Sequence, residues 1–236
     1  MISIVICDDE IPFLDTLEDY IQKYRIYKSM DLKLTRFHDG SDLVENYNLG
    51  FDIIFLDISM AGLNGIETAR RIREIDKQVI IIFLTSVIKY ALTGYTLGAV
   101  NYIIKPITFR KLASELDAAI LKCNEIDQQY ITLKNNEGIF KLYVNDIKYI
   151  ETYNRNTMIY TKDKNVICFH SMKKLEKKLE AFSFIRCHSS FIVNVKYIES
   201  VEKLMITLIS SEHIPISQQK RKDVMKLIAI YLGGEL

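Results

Sequence analysis

Five short apolar runs in the first half of the chain, each followed by a stretch with helical periodicity, constrain the fold more than any other feature of this sequence. The runs are Ile2–Cys7, Leu32–Phe37, Ile53–Leu56, Val79–Leu84 and Tyr102–Ile104. Runs this short and this apolar suit strands covered on both faces, as in a parallel sheet. After the first, Leu14, Leu17, Ile21 and Tyr24 recur at helical spacing, with Asp9 or Glu10 placed as a cap and Pro12 in the first turn. The same spacing predicts helices over Ser41–Tyr47, Gly65–Ile75, Lys89–Leu97 and Phe109–Cys123, with Gly98 and Pro106 as punctuation. Strict alternation of five strands and five helices predicts an α/β doubly wound, five-stranded parallel sheet. Such sheets bind ligands beyond the carboxyl ends of their strands.

That rule directs attention to the residues just after each run. Asp8 and Asp9 end the first, Asp57 the third, Thr85 and Ser86 the fourth, and Lys105 the fifth. Three carboxylates gathered on one rim repel one another unless a cation sits among them. A hard divalent ion such as Mg²⁺ suits them, because it accepts carboxylates while keeping waters and phosphate oxygens. Lys105 and the Thr85 hydroxyl would then face phosphoryl oxygens. No glycine-rich phosphate loop is present, which disfavours a nucleoside triphosphate site. An aspartate that accepts a phosphoryl group is the simplest chemistry left.

With these residues in place, the segment from about 1 to 122 closely resembles the receiver domain of two-component response regulators, a flavodoxin-like fold. The resemblance implies that Asp8 and Asp9 are the acidic pair, Asp57 the phosphoacceptor, Thr85 the switch hydroxyl, Lys105-Pro106 the lysine and proline pair, and Tyr102 the switch aromatic. It also implies Mg²⁺ held by Asp8, Asp9, Asp57 and the Ser59 backbone carbonyl, and a sensor histidine kinase as phosphoryl donor. Ala61 departs from the pattern, since many receivers carry proline after the residue matching Met60. That departure is expected to alter loop stiffness more than chemistry.

Beyond Cys123 the pattern changes to closely spaced extended segments. Strands are predicted over Tyr130–Leu133, Ile139–Tyr143, Ile147–Thr152, Met158–Thr161, Val166–Phe169, Phe184–Cys187, Ile198–Val201, Met205–Leu208 and His213–Ile216. Helices are predicted over Met172–Leu179 and Gln218–Tyr231. This is a mainly β domain with no helix-turn-helix pair. Charge changes with it: residues 1–126 carry 14 Lys/Arg against 18 Asp/Glu, whereas 127–236 carry 17 against 12. The basic half gathers Arg155 and Asn156, His170, Arg186 with His188 and Ser189, and Gln219 with Lys220 and Arg221 near strand ends, a set suited to duplex DNA. By contrast Lys173, Lys174, Lys177 and Lys178 read as the solvated face of an amphipathic helix.

The segment 184–194, with Ile147–Glu151 upstream and Ser171–Glu176 between, resembles a LytTR-type DNA-binding domain over about residues 128–232. That family implies a ten-stranded fold whose loops enter successive DNA grooves, usually at direct repeats near promoters. Arg155, Asn156, His188, Ser189 and Gln219 are then the groove-facing residues, with Lys220 and Arg221 nearby. Gln219 departs from the basic residue common there, which bears on base preference.

A length of 236 residues accommodates two domains. The expected division is a receiver over 1–123, a linker over 124–129 and the LytTR-type domain over 130–236. No apolar stretch approaches the ~20 residues of a membrane span, and the N-terminus lacks a basic n-region and cleavage site. Cys7, Cys123, Cys168 and Cys187 are scattered with no CxxC pair, against a zinc site or disulfide frame and for a reducing cytoplasm. Cys168 and Cys187 read as buried small hydrophobes. The expected protein is a phosphorylation-controlled transcription regulator, not an enzyme beyond its own phosphorylation and dephosphorylation. It dimerises when phosphorylated, with Tyr90, Leu92, Tyr95 and Tyr102 read either as a pairing face or as part of the core. A receiver driving an enzymatic output fits worse, since the second half has no glycine-framed serine nucleophile, carboxylate cluster or nucleotide loop. RNA-binding antitermination is a third reading.

Overall fold

A computed structural model describes residues 1–47, 50–86 and 101–232 and divides the chain into two compact units, Met1–Asn124 and Glu125–Tyr231. The predicted helix Lys89–Leu97 and the residues Tyr90, Leu92 and Tyr95 lie outside the described residues.

In the first unit the strands are β1 (Ile2–Cys7), β2 (Leu32–Phe37), β3 (Ile53–Asp57), β4 (Ile80–Thr85) and β5 (Asn101–Ile104). They form one parallel sheet in the order β2-β1-β3-β4-β5. The helices α1 (Ile11–Lys28), α2 (Gly40–Glu45), α3 (Gly65–Ile75) and α4 (Phe109–Asp127) cover it. Alternation along each strand divides the core. Val5, Cys7, Ile54, Leu56, Ile81 and Phe83 pack on one face with Leu43, Ala69 and Ile72 from α2 and α3. Their neighbours Ile4, Ile6, Ile53 and Phe55 are fully buried on the other. There α1 and α4 are clasped by Asp117, which accepts from the Tyr24 hydroxyl at 2.7 Å and pairs with Lys28 at 2.9 Å. Residues 124–127 of the expected linker are the last turn of α4.

The second unit carries ten described strands in three antiparallel sheets. A hairpin joins β6 (Tyr130–Asn135) and β7 (Gly138–Tyr143). Five strands, β8 (Ile147–Tyr153), β9 (Asn156–Thr161), β10 (Asn165–Cys168), β11 (Phe184–His188) and β12 (Phe191–Asn194), assemble in the order β10-β9-β8-β12-β11. The third sheet is β13 (Ile198–Glu202), β14 (Met205–Leu208) and β15 (His213–Pro215). Helix α5 (Met172–Leu179) buries Met172, Leu175 and Leu179, its amphipathic stripe, against Ile147, Ile150, Ile159 and Ile192. The predicted C-terminal helix begins later than expected: 218–220 form a 3₁₀ turn, and α6 runs from Arg221 to Leu232.

Strand β12 is absent from the sequence reading. Only Ser189-Ser190 separates it from β11, and that pair carries neither of the glycine and proline signals that mark a two-residue turn. Yet β12 lies inside the sheet, between β8 and β11. The buried Asn194 ends it, donating to the Ile147 carbonyl at 2.9 Å and accepting from the Lys196 amide at 3.1 Å.

Candidate functional site

At the carboxyl ends of β1, β3, β4 and β5 the structure brings together the polar residues named from the sequence. Asp8 is fully buried, Asp57 is 3% exposed, Thr85 is buried and Asp9 faces solvent. One carboxylate oxygen from each of Asp8, Asp9 and Asp57 lies within 4.8 Å of the others. The Lys105 ammonium sits among them, 2.7 Å from Asp8 Oδ2, 2.9 Å from Asp57 Oδ1 and 3.3 Å from Glu10 Oε1. It also caps the Phe13 ring at 4.3 Å. Burial pulls the Lys105 ammonium down, but its hydrogen bonds and ion pairs to Asp8 and Asp57 outweigh this and leave it above the ordinary lysine range. Burial also pushes the Asp8 carboxyl up, opposed by Lys105 and by the Glu10 amide.

Backbone geometry aims these side chains. Lys105 follows β5, its amide donating to the Thr85 carbonyl at 2.9 Å before a cis bond to Pro106. The Ser59 amide donates to Asp57 Oδ2 at 2.7 Å, and the Ala61 amide donates to Asp9 Oδ2 at 3.0 Å. The second bond is one that proline at 61 could not make, so the departure at Ala61 reaches the acidic cluster itself. Behind the loop, Asn64 caps α3 by accepting from the Glu67 amide at 2.9 Å, and the Gly65 amide donates to the Ile58 carbonyl at 3.1 Å. A Cβ at Gly65 would lie 2.0 Å from the Asp57 carbonyl oxygen, so only glycine lets α3 start this close to β3. Tyr102 is half-buried and stacks on Phe83 with ring centroids 5.4 Å apart.

The second constellation lies at one end of the five-stranded sheet. Antiparallel pairing of Tyr153 with Asn156, Cys168 with Thr157, Phe191 with Glu151 and His188 with Phe191 puts the β8–β9, β10–α5 and β11–β12 connections at that end. Arg155, Asn156, His170, Arg186, His188 and Ser189 therefore converge there. The Ser217 amide donates to the Cys187 carbonyl at 3.0 Å, which brings Gln219, Lys220 and Arg221 beside them. Arg155 sits exposed at a hairpin tip with φ 68°, after Asn154 at φ 45°, a left-handed pair that costs a non-glycine residue on the order of 1 kcal/mol.

The members differ in what they hold. Gln219 and Arg221 are exposed, and His188 accepts from the Ser190 amide through Nδ1 at 3.1 Å. His170 is half-buried, and burial followed by the nearby Lys174 and Lys178 lowers its pKa. Lys220 donates to the Arg186 carbonyl at 2.9 Å. Arg186 points its guanidinium inward, with Nη1 2.7 Å from Glu176 Oε2 and Nη2 3.0 Å from the Ser189 carbonyl. Sequence reasoning missed Glu176, Glu10, Phe13 and the Ala61 amide. In the sequence Glu176 shows only as the lone acid between Met172 and Leu179, Glu10 only as a cap candidate and Ala61 only as a departure from the family pattern.

Three of the four cysteines belong to the core, and Cys123 is half-buried. Cys7, Cys168 and Cys187 are buried, and burial raises all three thiols, Cys187 to about 12. Among the described residues no helix is long and apolar enough to cross a membrane.

Comparison with known proteins covers both units. Residues 4–117 match the family model of the response regulator receiver domain, and residues 137–229 match that of the LytTr DNA-binding domain. The sensory transduction protein LytT of Bacillus cereus is 27% identical over 251 residues, spanning 98% of this chain and all of that protein. The transcriptional regulatory protein YpdB of Escherichia coli is 26% identical over 251 residues, spanning 96% of this chain and 99% of its own length.

Proposed function

The chain belongs to the two-component response regulators that join a receiver domain to a LytTR DNA-binding domain, transcription factors rather than conventional enzymes, and from this we propose that a phosphoryl group on Asp57 controls how its C-terminal loops engage promoter DNA. The observation that carries the reading is the Lys105 ammonium within 3 Å of both Asp8 and Asp57.

The donor set is oxygen only and strongly acidic, which fits a hard divalent cation such as Mg²⁺. Asp8, Asp9, Asp57 and the Ser59 backbone carbonyl would hold it. When bound, it neutralises charge on the oxygens of the transferring phosphoryl group. In the transfer, a carboxylate oxygen of Asp57 attacks phosphorus of the phosphohistidine on the partner kinase. The P–N bond breaks, the imidazole keeps the electron pair, and an acyl phosphate forms. The Lys105 ammonium then pairs with a phosphoryl oxygen in place of the Asp57 oxygen, which now bridges carbon and phosphorus in the mixed anhydride. The Thr85 hydroxyl donates to another, and the Tyr102 ring follows Thr85.

In the second half, Arg221 and Lys220 serve DNA phosphates, while Arg155, Asn156, His170, His188, Ser189 and Gln219 meet groove edges. Phosphorylated receivers pair two chains on direct repeats, in the cytoplasm where the kinase presents its phosphohistidine.

The test uses the full chain with acetyl phosphate and Mg²⁺, the adduct located by mass spectrometry. Wild type is expected to label at Asp57 and to bind a two-repeat duplex more steeply than a one-repeat duplex. Asp57→Asn is expected to stay unlabelled and to bind both alike. Equal labelling of the variant overturns the phosphoacceptor assignment, and failure to bind duplex at low salt overturns the DNA reading.

A further inference from the structure

We propose that Arg186 is a positioning residue of the DNA interface, anchored by Glu176, and that it holds two reading segments in register instead of neutralising a phosphate. The inference rests on the DNA reading above and deepens it. Arg186 stands on β11, an edge strand, two residues before His188. Through Nη1 it is tied to Glu176 on α5, and through Nη2 to the Ser189 carbonyl in the β11–β12 turn. Its own carbonyl accepts from Lys220 at 2.9 Å, while the next carbonyl, of Cys187, accepts from the Ser217 amide at 3.0 Å. One residue thus joins α5, the His188-Ser189 turn and the Gln218–Lys220 turn.

Charge and exposure argue against a phosphate contact. The Arg186 side chain is 23% exposed, and its Nε is buried without a hydrogen-bond partner among the described residues. With a carboxylate 2.7 Å from Nη1, the pair carries no net charge. A phosphate approaching Arg186 would meet Glu176 as well, so the pair releases few counterions. The charge-assisted bonds of a guanidinium fork are directional, which suits it to fixing a turn.

The two roles predict opposite responses at Glu176. Were Arg186 a phosphate contact restrained by Glu176, removing the carboxylate would strengthen binding to every duplex. A positioning role predicts weaker binding to the preferred sequence alone. Full-length wild type, Glu176→Ala, Arg186→Gln and the double variant would be titrated at several salt concentrations. The probes are a duplex selected by the wild-type chain from a random pool and the unselected pool. Alanine on a solvent-facing helix position keeps α5 folded, so Glu176→Ala tests the idea even if Arg186→Gln misfolds.

Expected for Glu176→Ala is a loss of about tenfold on the selected duplex, or about 1.4 kcal/mol. Affinity for the pool and the slope of log K against log salt should stay unchanged, and the double variant should lose no more than the worse single one. Tighter binding of Glu176→Ala to both probes, or a slope reduced by about one in Arg186→Gln with equal loss on both, would overturn the proposal. Unaltered binding of Glu176→Ala to the selected duplex would do the same. Should wild type bind neither duplex, the DNA reading falls first, before any variant is compared.

Discussion

Replacing Lys105 with methionine tests the electrostatics of the receiver site independently of any phosphorylation. The substitution keeps an unbranched side chain of similar length and removes the ammonium that caps Phe13 and lies 2.7 Å from the fully buried Asp8 and 2.9 Å from the buried Asp57. Breaking a buried pair by deleting one partner costs about 3–5 kcal/mol, because the other charge is left uncompensated. For a unit of this size that corresponds to a fall in Tm of about 12–20 °C. The loss should depend on pH. Burial already holds the Asp8 carboxyl above its ordinary value, and Lys105, with the Glu10 amide second to it, restrains that rise. Without the ammonium the folded-state pKa climbs further, so the folded form binds a proton that the unfolded form releases. Stability is then retained below the unfolded carboxylate range and lost as pH rises through the folded value. The deficit of Lys105→Met should therefore widen from acid to neutral pH. It should narrow on adding Mg²⁺, which stabilises by about 2.7 kcal/mol at a hundred times its Kd. Calorimetry of the full chain, with hydrogen exchange in β1 and β3 assigning the transition, measures all three effects. A variant as stable as wild type at pH 7.5 without metal, or a deficit independent of pH, would refute the reasoning.

Gly65→Ala should lower the stability of the first unit by at least the ~1–3 kcal/mol of an overpacked site, since the clash is with the Asp57 backbone; it should also slow labelling by acetyl phosphate, and normal labelling of a stable variant would contradict this. Mild peroxide should leave DNA binding unchanged, because Cys168 and Cys187 are buried with raised thiol pKa values; a gel-shift that disappears on oxidation and returns with reductant would overturn that expectation.

The receiver site was legible because a topological rule converts strand ends into one location. Asp8, Asp57, Thr85 and Lys105 each end an apolar run, and a parallel sheet brings those ends together whatever the loops do. The output domain obeys no comparable rule. Arg186 and Arg155 look alike as basic residues near turns, but one is turned inward by an acid ten residues earlier, on a helix whose position depends on burying Met172, Leu175 and Leu179. The other is held outward at a strained hairpin tip. Tertiary placement decides between them, and a lone acid in the α5 pattern does not by itself say which arginine it will meet. Strand β12 escaped for a related reason, since its place within the sheet comes from cross-strand partners on β8 and β11.

Ala61 shows how a single backbone donor orders one carboxylate of the acidic cluster. Asp8 is confined by burial and by Lys105, Asp57 by Lys105 and the Ser59 amide, but Asp9 is exposed and depends on the Ala61 amide at 3.0 Å. The amide fixes the orientation of the Asp9 carboxylate beside its acidic neighbours. Asp8, Asp9, Asp57 and Glu10 set four acidic side chains against the one Lys105 ammonium, an excess of acid that suits a divalent cation. A proline at 61 would leave Asp9 to be ordered by the cation alone, whereas alanine orders part of the ligand set beforehand. The loop residue thus bears on how much of the ordering cost a cation at the acidic cluster would still meet.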